Sequence, residues 1–377
     1  MSKTKLFIIG STGSIGNQTL NIVRRHPDKF SVVGLAAGND WQMLVNQAKE
    51  FKVRTIGIAN EHHVSAINKQ LPNASIYTRA EAQTICGNTN ADVVVAAASG
   101  VVGIYGVVAA LESGKKVALA NKEVLVSAGN ALMKLSNEHN AEIVPVDSEH
   151  SALKECLLGH KKKDVKRLIL TASGGSFYFY SQAQLEKITP EQAIVHPNWK
   201  MGRKISVDSS TLFNKGLELI EARWLYDTMA VDYIIHRESV IHSMVEYIDG
   251  SIIAQLSSPD MELPIQQAIS NYKLPRNSVT DFVEFSPMSF YPKPEDRFKA
   301  PKLAKQLIDM GDTILPCVYS SANEMAVQLF LQRKIGFCDI YNLVERAVDN
   351  FKEKIEPTID NILDVDSQVK SRMLLGS

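Results

Sequence analysis

From residue 5 to 146 the chain alternates short apolar runs with stretches whose apolar positions recur every three or four residues. The runs are KLFIIG, FSVVGLAAG, RTIGIA, ASIYT, ADVVVAAAS, KKVALA and AEIVPV. Several are apolar at nearly every position, as strands covered on both faces are. The intervening stretches, among them 14–25, 41–51 and 122–139, have helical spacing. Strand and helix in alternation predict a parallel, doubly wound α/β sheet.

The pattern changes near residue 148. RLILTAS reads as a strand, and VIHSMVEYIDGSIIAQLS as a hairpin turning at Asp249-Gly250, a favoured two-residue turn. These features predict an α+β domain. Prolines 275, 287, 292, 294 and 301, with Pro264 just upstream, favour an extended linker. Beyond Ala300 the spacing is helical to the end and suits a small helical bundle. The expected domains are therefore 1–147, 148–274, a linker at 275–300 and a bundle at 301–377.

Composition narrows the function. With 41 basic and 41 acidic residues the formal net charge is zero. No half of the chain is a basic block, which argues against a nucleic-acid partner. No apolar stretch approaches the ~20 residues of a membrane helix. Met1 leads directly into a strand-like run, so no leader peptide is expected. The four cysteines, Cys86, Cys156, Cys317 and Cys338, form no CxxC pair. They suit reduced thiols in a reducing compartment, and a cytoplasmic protein is expected.

Four segments carry candidate chemistry. KLFIIGSTGSIGNQTLNIV is a strand, a glycine-rich turn and a helix, with glycines at 10, 13 and 16. Such a turn lets a pyrophosphate approach the backbone and a helix N-terminus. The alternative is a turn that merely joins strand to helix. After the second strand, where an acidic or basic side chain distinguishes NAD from NADP, the chain has Gly38, Asn39 and Asp40, which decide neither way. In SVDSSTLFNKGLELIEARWLYD, Ser209 and Ser210 precede a helical stretch, and Asn214, Lys215 and Glu218 can share one face. Hydroxyls, an amide and an ammonium make a good phosphate cradle. An ordinary Lys–Glu surface pair is the alternative. Gly216 argues against that, since it costs about 1 kcal/mol relative to alanine in a helix.

The segment from Ser173-Gly174-Gly175 through His196, Pro197 and Trp199 to Gly202 is a candidate closing loop, 173–203, or else a surface connection anchored by Trp199. In AEIVPVDSEHSAL an apolar run ends in Asp147-Ser148-Glu149-His150. Read as a strand, it points Asp147 and Glu149 to one side, where two negative charges need something positive between them.

The motifs GSTGSIG, LANKE, VDSEHSA, TASGGSF, HPNWKMGRKISVDSSTLFNKGLELIEA and ANE together closely resemble the 1-deoxy-D-xylulose 5-phosphate reductoisomerase family, and the resemblance spans essentially the whole chain. It implies conversion of that sugar phosphate to 2-C-methyl-D-erythritol 4-phosphate in non-mevalonate isoprenoid synthesis. It also implies an N-terminal NADPH domain, a catalytic domain with a mobile loop, a C-terminal bundle and a homodimer. By this resemblance Asp147, Glu149 and Glu218 match ligands of one magnesium or manganese ion. Ser148, Ser173, His196, Ser209, Asn214 and Lys215 match substrate-holding residues, with Trp199 folding over the substrate and Lys122 reaching it. Thr12, Gly13, Ser14, Ile15, Asn121, Glu123 and Gly202 match cofactor contacts, with Gly38 and Asn39 at the ribose end. The expected catalytic set is Lys122, Asp147, Glu149, His196 and Glu218.

Two positions depart from the family pattern: Asn39, where many members carry a basic residue, and Ser176, where proline is expected. A semialdehyde dehydrogenase would need a cysteine nucleophile, and Cys156 lies mid-helix with no base beside it. A non-enzymatic NADP sensor would have no use for three converging carboxylates.

Overall fold

The seven apolar runs are seven strands. In a computed structural model describing residues 2–196, 198, 199, 201–270, 283 and 286–375, they are β1 (Thr4–Ile9), β2 (Phe30–Ala37), β3 (Thr55–Ile58), β4 (Ser75–Thr78), β5 (Val93–Ala96), β6 (Lys116–Leu119) and β7 (Ile143–Pro145). They form one parallel sheet in the order β4-β3-β2-β1-β5-β6-β7. The order reverses between β1 and β5, so their C-terminal ends flank the crevice where such sheets bind ligands. Leu6, Phe7, Ile8, Val94 and Val95 are completely buried, which accounts for the unbroken apolar runs. Helices Ser14–Arg25, Trp41–Phe51 and Lys122–Glu138 fall where the spacing predicts them.

The chain divides into two units by contact, and the division does not follow chain order. The first comprises Met1–Val124, Leu132–Ser151 and Met261–Thr280; the second comprises Leu125–Ala131, Ala152–Asp260 and Asp281–Ser377. Helix Glu262–Ser270, expected with the catalytic domain, lies in the first unit. Its Ile265, Ala268 and Ile269 pack into the same core as Leu6, Ile8 and Leu20. Ser151 Oγ also donates to Gln267 Oε1 at 2.7 Å.

The second unit has, among its described residues, a four-stranded sheet in the order β11-β10-β8-β9. Its strands are β8 (Val165–Ala172), β9 (Val231–Ile235), β10 (Ile241–Tyr247) and β11 (Ile252–Leu256). The hairpin around Asp249-Gly250 has three loop residues rather than two. Tyr247 N–H donates to Ser251 C=O at 2.9 Å, and Gly250, at φ +86°, closes the turn by donating to Tyr247 C=O at 3.0 Å. β8 and β9 run parallel with Ala172 opposite Ile235, so the residues following each strand emerge side by side. Helices Ala300–Asp309, Leu315–Leu331, Asp339–Asn350 and Ile359–Leu375 form the C-terminal helical layer. Of the expected linker, residues 275–282, 284 and 285 lie outside the described residues; 286–299 contains no helix, and Tyr291 makes a single bridge to Ile235. No described helix is long and apolar enough to cross a membrane.

Candidate active site

The glycine turn occupies the switch point. A Cβ on Gly10 (φ +80°) would lie 2.6 Å from Ala97 C=O, and one on Gly16 would lie 2.3 Å from Gly10 C=O. Only glycine lets the loop press against the end of β5 while the helix starts beneath it. Thr12, Gly13, Ser14 and Ile15 form the loop and the first helical residues, and Gly13 and Ser14 are exposed. No side chain caps this helix, and an uncapped helix N-terminus has the N–H groups and dipole that suit an anion. Ser11 Oγ is buried there without a hydrogen-bond partner. Gly38 and Asn39 are exposed beyond β2, the neighbour of β1. Asp40 is already engaged: its carboxylate caps the next helix by accepting from Met43 N–H at 3.0 Å.

The neighbouring strands β6 and β7 deliver a second group. Asn121 caps helix Lys122–Glu138 by accepting from Val124 N–H, and its amide donates to the carbonyls of Ala98 and Gly100 (2.8 Å to the latter). Its side chain thereby shapes the loop after β5. Glu123 follows in the first turn, half-buried. Lys122 and Asp147 leave adjacent strands whose ends pair at Leu119 and Pro145, and their side chains form an ion pair, 9% and 11% exposed. This burial makes Lys122 the positive partner on the Asp147 side.

The strand reading of VDSEH is corrected. Helix Ser148–Leu157 begins immediately after Asp147, and Ser151 N–H donates to Asp147 C=O at 2.9 Å. Glu149 is therefore a first-turn residue and not the next outward position of a strand. The helix N-terminus favours both carboxylates through its exposed N–H groups and dipole. Ser148 Oγ donates to Glu149 Oε2 at 2.6 Å.

In the second unit, Ser209 and Ser210 end a helix of their own, Arg203–Ser210, instead of leading the next one. Leu212 adopts a left-handed conformation, φ +59°, and helix Phe213–Tyr226 follows. Ser210 Oγ turns back to Val207 C=O at 2.8 Å, so Ser209 is the more accessible hydroxyl. Asn214 and Lys215 stand in the first turn of the second helix. Both reach Glu218, as their spacing predicts. Lys215 is 3% and Glu218 1% exposed, so the surface-pair alternative is wrong. Desolvating two charges is costly, and such a pair is retained for specificity or function more readily than for stability.

The 173–203 segment contains two short helices, Gln182–Leu185 and Pro190–Ala193. Pro197 and Lys200 lie outside the described residues. His196 Nε2 and Ser173 Oγ are 3.1 Å apart. Nδ1 of His196 accepts the backbone N–H groups of Asn198 and Trp199 at 3.1 and 3.0 Å. The ring proton therefore sits on Nε2 and points at Ser173. Gly175 closes the turn after β8; a Cβ there would lie 2.6 Å from Ser209 C=O, so the turn presses against the segment carrying Ser209. Trp199 meets His242 edge to face at 6.1 Å. Gly202 is the exposed residue capping helix Arg203–Ser210.

Arg237, which no pattern in the sequence marked, holds this loop together with Asn198 of the HPNW motif. The helix that follows the loop is fixed by a buried pair, in which Asn323 Nδ2 donates to Asp208 Oδ1 at 2.8 Å. Cys156 is buried near the end of its helix, and burial pushes its thiol up to about 12, far from a nucleophile's range.

A parallel sheet with a glycine turn at its switch point is the architecture of dinucleotide-binding oxidoreductases, and its relatives place the chain among the nicotinamide-dependent ones. Residues 6–129 match the family model of 1-deoxy-D-xylulose 5-phosphate reductoisomerase. Residues 143–226 and 256–372 match two models of its C-terminal domains. The reductoisomerase of Caldanaerobacter subterraneus subsp. tengcongensis is 44% identical over 378 residues, covering 98% of each chain. The Zymomonas mobilis reductoisomerase, solved with NADPH, superposes with a TM-score of 0.91 at 37% identity, covering 98% of each chain. A reductoisomerase solved with NADPH, fosmidomycin and magnesium also gives 0.91, at 35% identity, covering 98% of this chain and 97% of that one. The chain belongs to the 1-deoxy-D-xylulose 5-phosphate reductoisomerase family.

Proposed function

We propose that the chain isomerises and reduces 1-deoxy-D-xylulose 5-phosphate to 2-C-methyl-D-erythritol 4-phosphate with NADPH and a divalent cation, a step in isoprenoid precursor synthesis. The observation that carries this reading is the full-length family match, at 44% identity over 98% of the chain. The local geometry in each unit supports it. In the first unit the loop Gly10–Gly16 offers an uncapped helix N-terminus and a buried, unpartnered Ser11 hydroxyl, a cradle fit for pyrophosphate. Bound there, NADPH supplies the hydride for reduction.

Asp147, Glu149 and Glu218 are assigned as cation ligands from their motif positions. Carboxylate oxygens are hard donors that suit magnesium or manganese. A bound cation polarises the substrate's ketone as a Lewis acid. Lys122 orients Asp147 through their buried ion pair. Ser173, Ser209, Asn214 and Lys215 grip the phosphate, and Ser148 orients Glu149 while facing substrate. His196 donates from Nε2 to Ser173 Oγ, which leaves the serine's own proton for a phosphate oxygen. Trp199 covers the substrate and excludes water. Gripping the phosphate away from the reacting carbons provides binding energy for loop closure.

We further infer a cytoplasmic homodimer. The free cysteines suit a reducing compartment. The edge strand β11 presents exposed Ile252 and Leu256, with Ile248 beside it, as a surface for a second copy.

The test follows NADPH oxidation with and without 1-deoxy-D-xylulose 5-phosphate, after exhaustive chelation and after magnesium or manganese is restored. Turnover is expected only with substrate and cation together. Glu218→Gln is expected to lose cation affinity and turnover while still binding NADPH. Full activity in chelated protein would overturn the metal assignment.

A further inference from the structure

Arg237 lies in the turn that follows β9, beside the residues that follow β8. Its Nη1 donates to the backbone carbonyls of Ser173 at 3.2 Å and Gly175 at 3.3 Å. Its guanidinium lies 5.6 Å from the Tyr178 ring centre and 5.0 Å from that of Phe179. Its own carbonyl accepts from Asn198 Nδ2 at 2.7 Å, and the same amide reaches Ser239 Oγ at 2.8 Å. One residue thus ties down the start of the loop through its side chain and the far end through its backbone.

Between those ties lies the Ser173–His196 contact. Gly174 and Gly175 both have positive φ, +77° and +68°, and the carbonyls on either side of Gly174 converge on one N–H donor. Without that donor the two carbonyl dipoles converge with nothing positive between them, which weakens the turn's hold on this shape. Gly175 N–H also donates to Ser173 Oγ at 3.2 Å, so the turn's shape sets the direction of the serine hydroxyl. The planar guanidinium matches this role, because it donates in plane while its faces rest on aromatic rings.

We propose that Arg237 is a positioning residue that locks the 173–199 loop so that Ser173 and His196 face one another ready for the substrate phosphate. The inference rests on the phosphate assignment made above.

The test compares wild type, Arg237→Ala and Arg237→Lys by steady-state kinetics, NADPH binding and amide hydrogen exchange. In Arg237→Ala, KM for 1-deoxy-D-xylulose 5-phosphate is expected to rise about tenfold to a hundredfold, the range for losing charge-assisted hydrogen bonds. The NADPH Kd is expected to stay unchanged, and exchange to accelerate at Gly175 and Asn198 but not in β8 or β9. Arg237→Lys keeps the charge and loses the fork, so it is expected to fall between, and added guanidinium ion is expected to rescue the alanine variant where urea does not. If the alanine variant fails to fold, Arg237→Lys carries the comparison by itself. Wild-type KM with wild-type exchange at Gly175, or an equal loss of NADPH binding, would overturn the proposal. A wild-type protein inert toward this substrate would overturn the phosphate reading instead, while the exchange data still decide whether Arg237 locks the loop.

Discussion

Gly216 sits inside helix Phe213–Tyr226, between Lys215 and Glu218. On helix propensity alone, Gly216→Ala gains about 1 kcal/mol. Its surroundings reverse the sign. A Cβ at this position would lie 2.1 Å from Tyr319 Oη and 3.2 Å from both Tyr319 Cζ and Ala300 C=O. Tyr319 is fully buried, and its hydroxyl donates to Ala300 C=O at 3.2 Å, so the ring has no open space to move into. Overpacking a core costs about 1–3 kcal/mol. The buried Tyr319 hydroxyl, pushed off its acceptor, costs about 1–3 kcal/mol more. Set against the propensity gain, these leave a net loss centred near 3 kcal/mol, about a hundredfold in the folding equilibrium. Urea unfolding of Gly216→Ala against wild type measures it, with KM for substrate as a second reading because Lys215 and Glu218 flank the site. Gly216→Ala/Tyr319→Phe removes the overlapping oxygen and leaves a ring carbon that needs to shift only slightly, so the pair is expected to regain at least half the loss. A Gly216→Ala protein as stable as wild type, or one whose loss is the same in the Tyr319→Phe background, would refute the steric account.

Two further outcomes are expected. NADPH is preferred over NADH, and Asn39→Arg widens the kcat/KM ratio about tenfold by adding a charge-assisted contact to the 2′-phosphate; an unchanged ratio would place the 2′-phosphate away from residue 39. Cys86, Cys156 and Cys317 are buried with thiols pushed up to about 12, so only about one in ten thousand is thiolate at pH 8. Iodoacetamide on the folded protein is expected to react first at the half-buried Cys338 and leave turnover intact, whereas inactivation by alkylation of Cys156 would revive a thiol nucleophile.

The sequence by itself determined the first sheet. Its inner strands are buried on both faces and read as near-continuous apolar runs, while the edge strand β4 stays partly exposed; the polar helical stretches between the runs left only parallel connections. It also marked the candidate chemistry, because the Gly10–Gly16 turn, Asp147, Glu149, His196 and the Ser209–Glu218 block stand in motifs with recognisable spacing. Local conformation at the ends of elements was less legible. Alternating charges in DSEH look like an outward strand face, yet an Asp-Ser-Glu run starts a helix just as well, and the hydrogen bond from Ser151 to Asp147 decided it.

What only the tertiary structure decided was which neighbour each residue meets. Lys215 and Glu218 have the same spacing in a solvated helix as in a buried one, and only the elements packed around them removed the water. Helix Glu262–Ser270 is apolar enough for either unit, and its partner was chosen by the shape of the core around Leu6 and Ile8. Arg237 belongs to no motif, because its role arises from two parallel strands ending side by side more than sixty residues apart in the chain. Periodicity along a chain reports which face of an element is apolar; what lies across from that face depends on contacts between distant segments, and those exist only once the chain is folded.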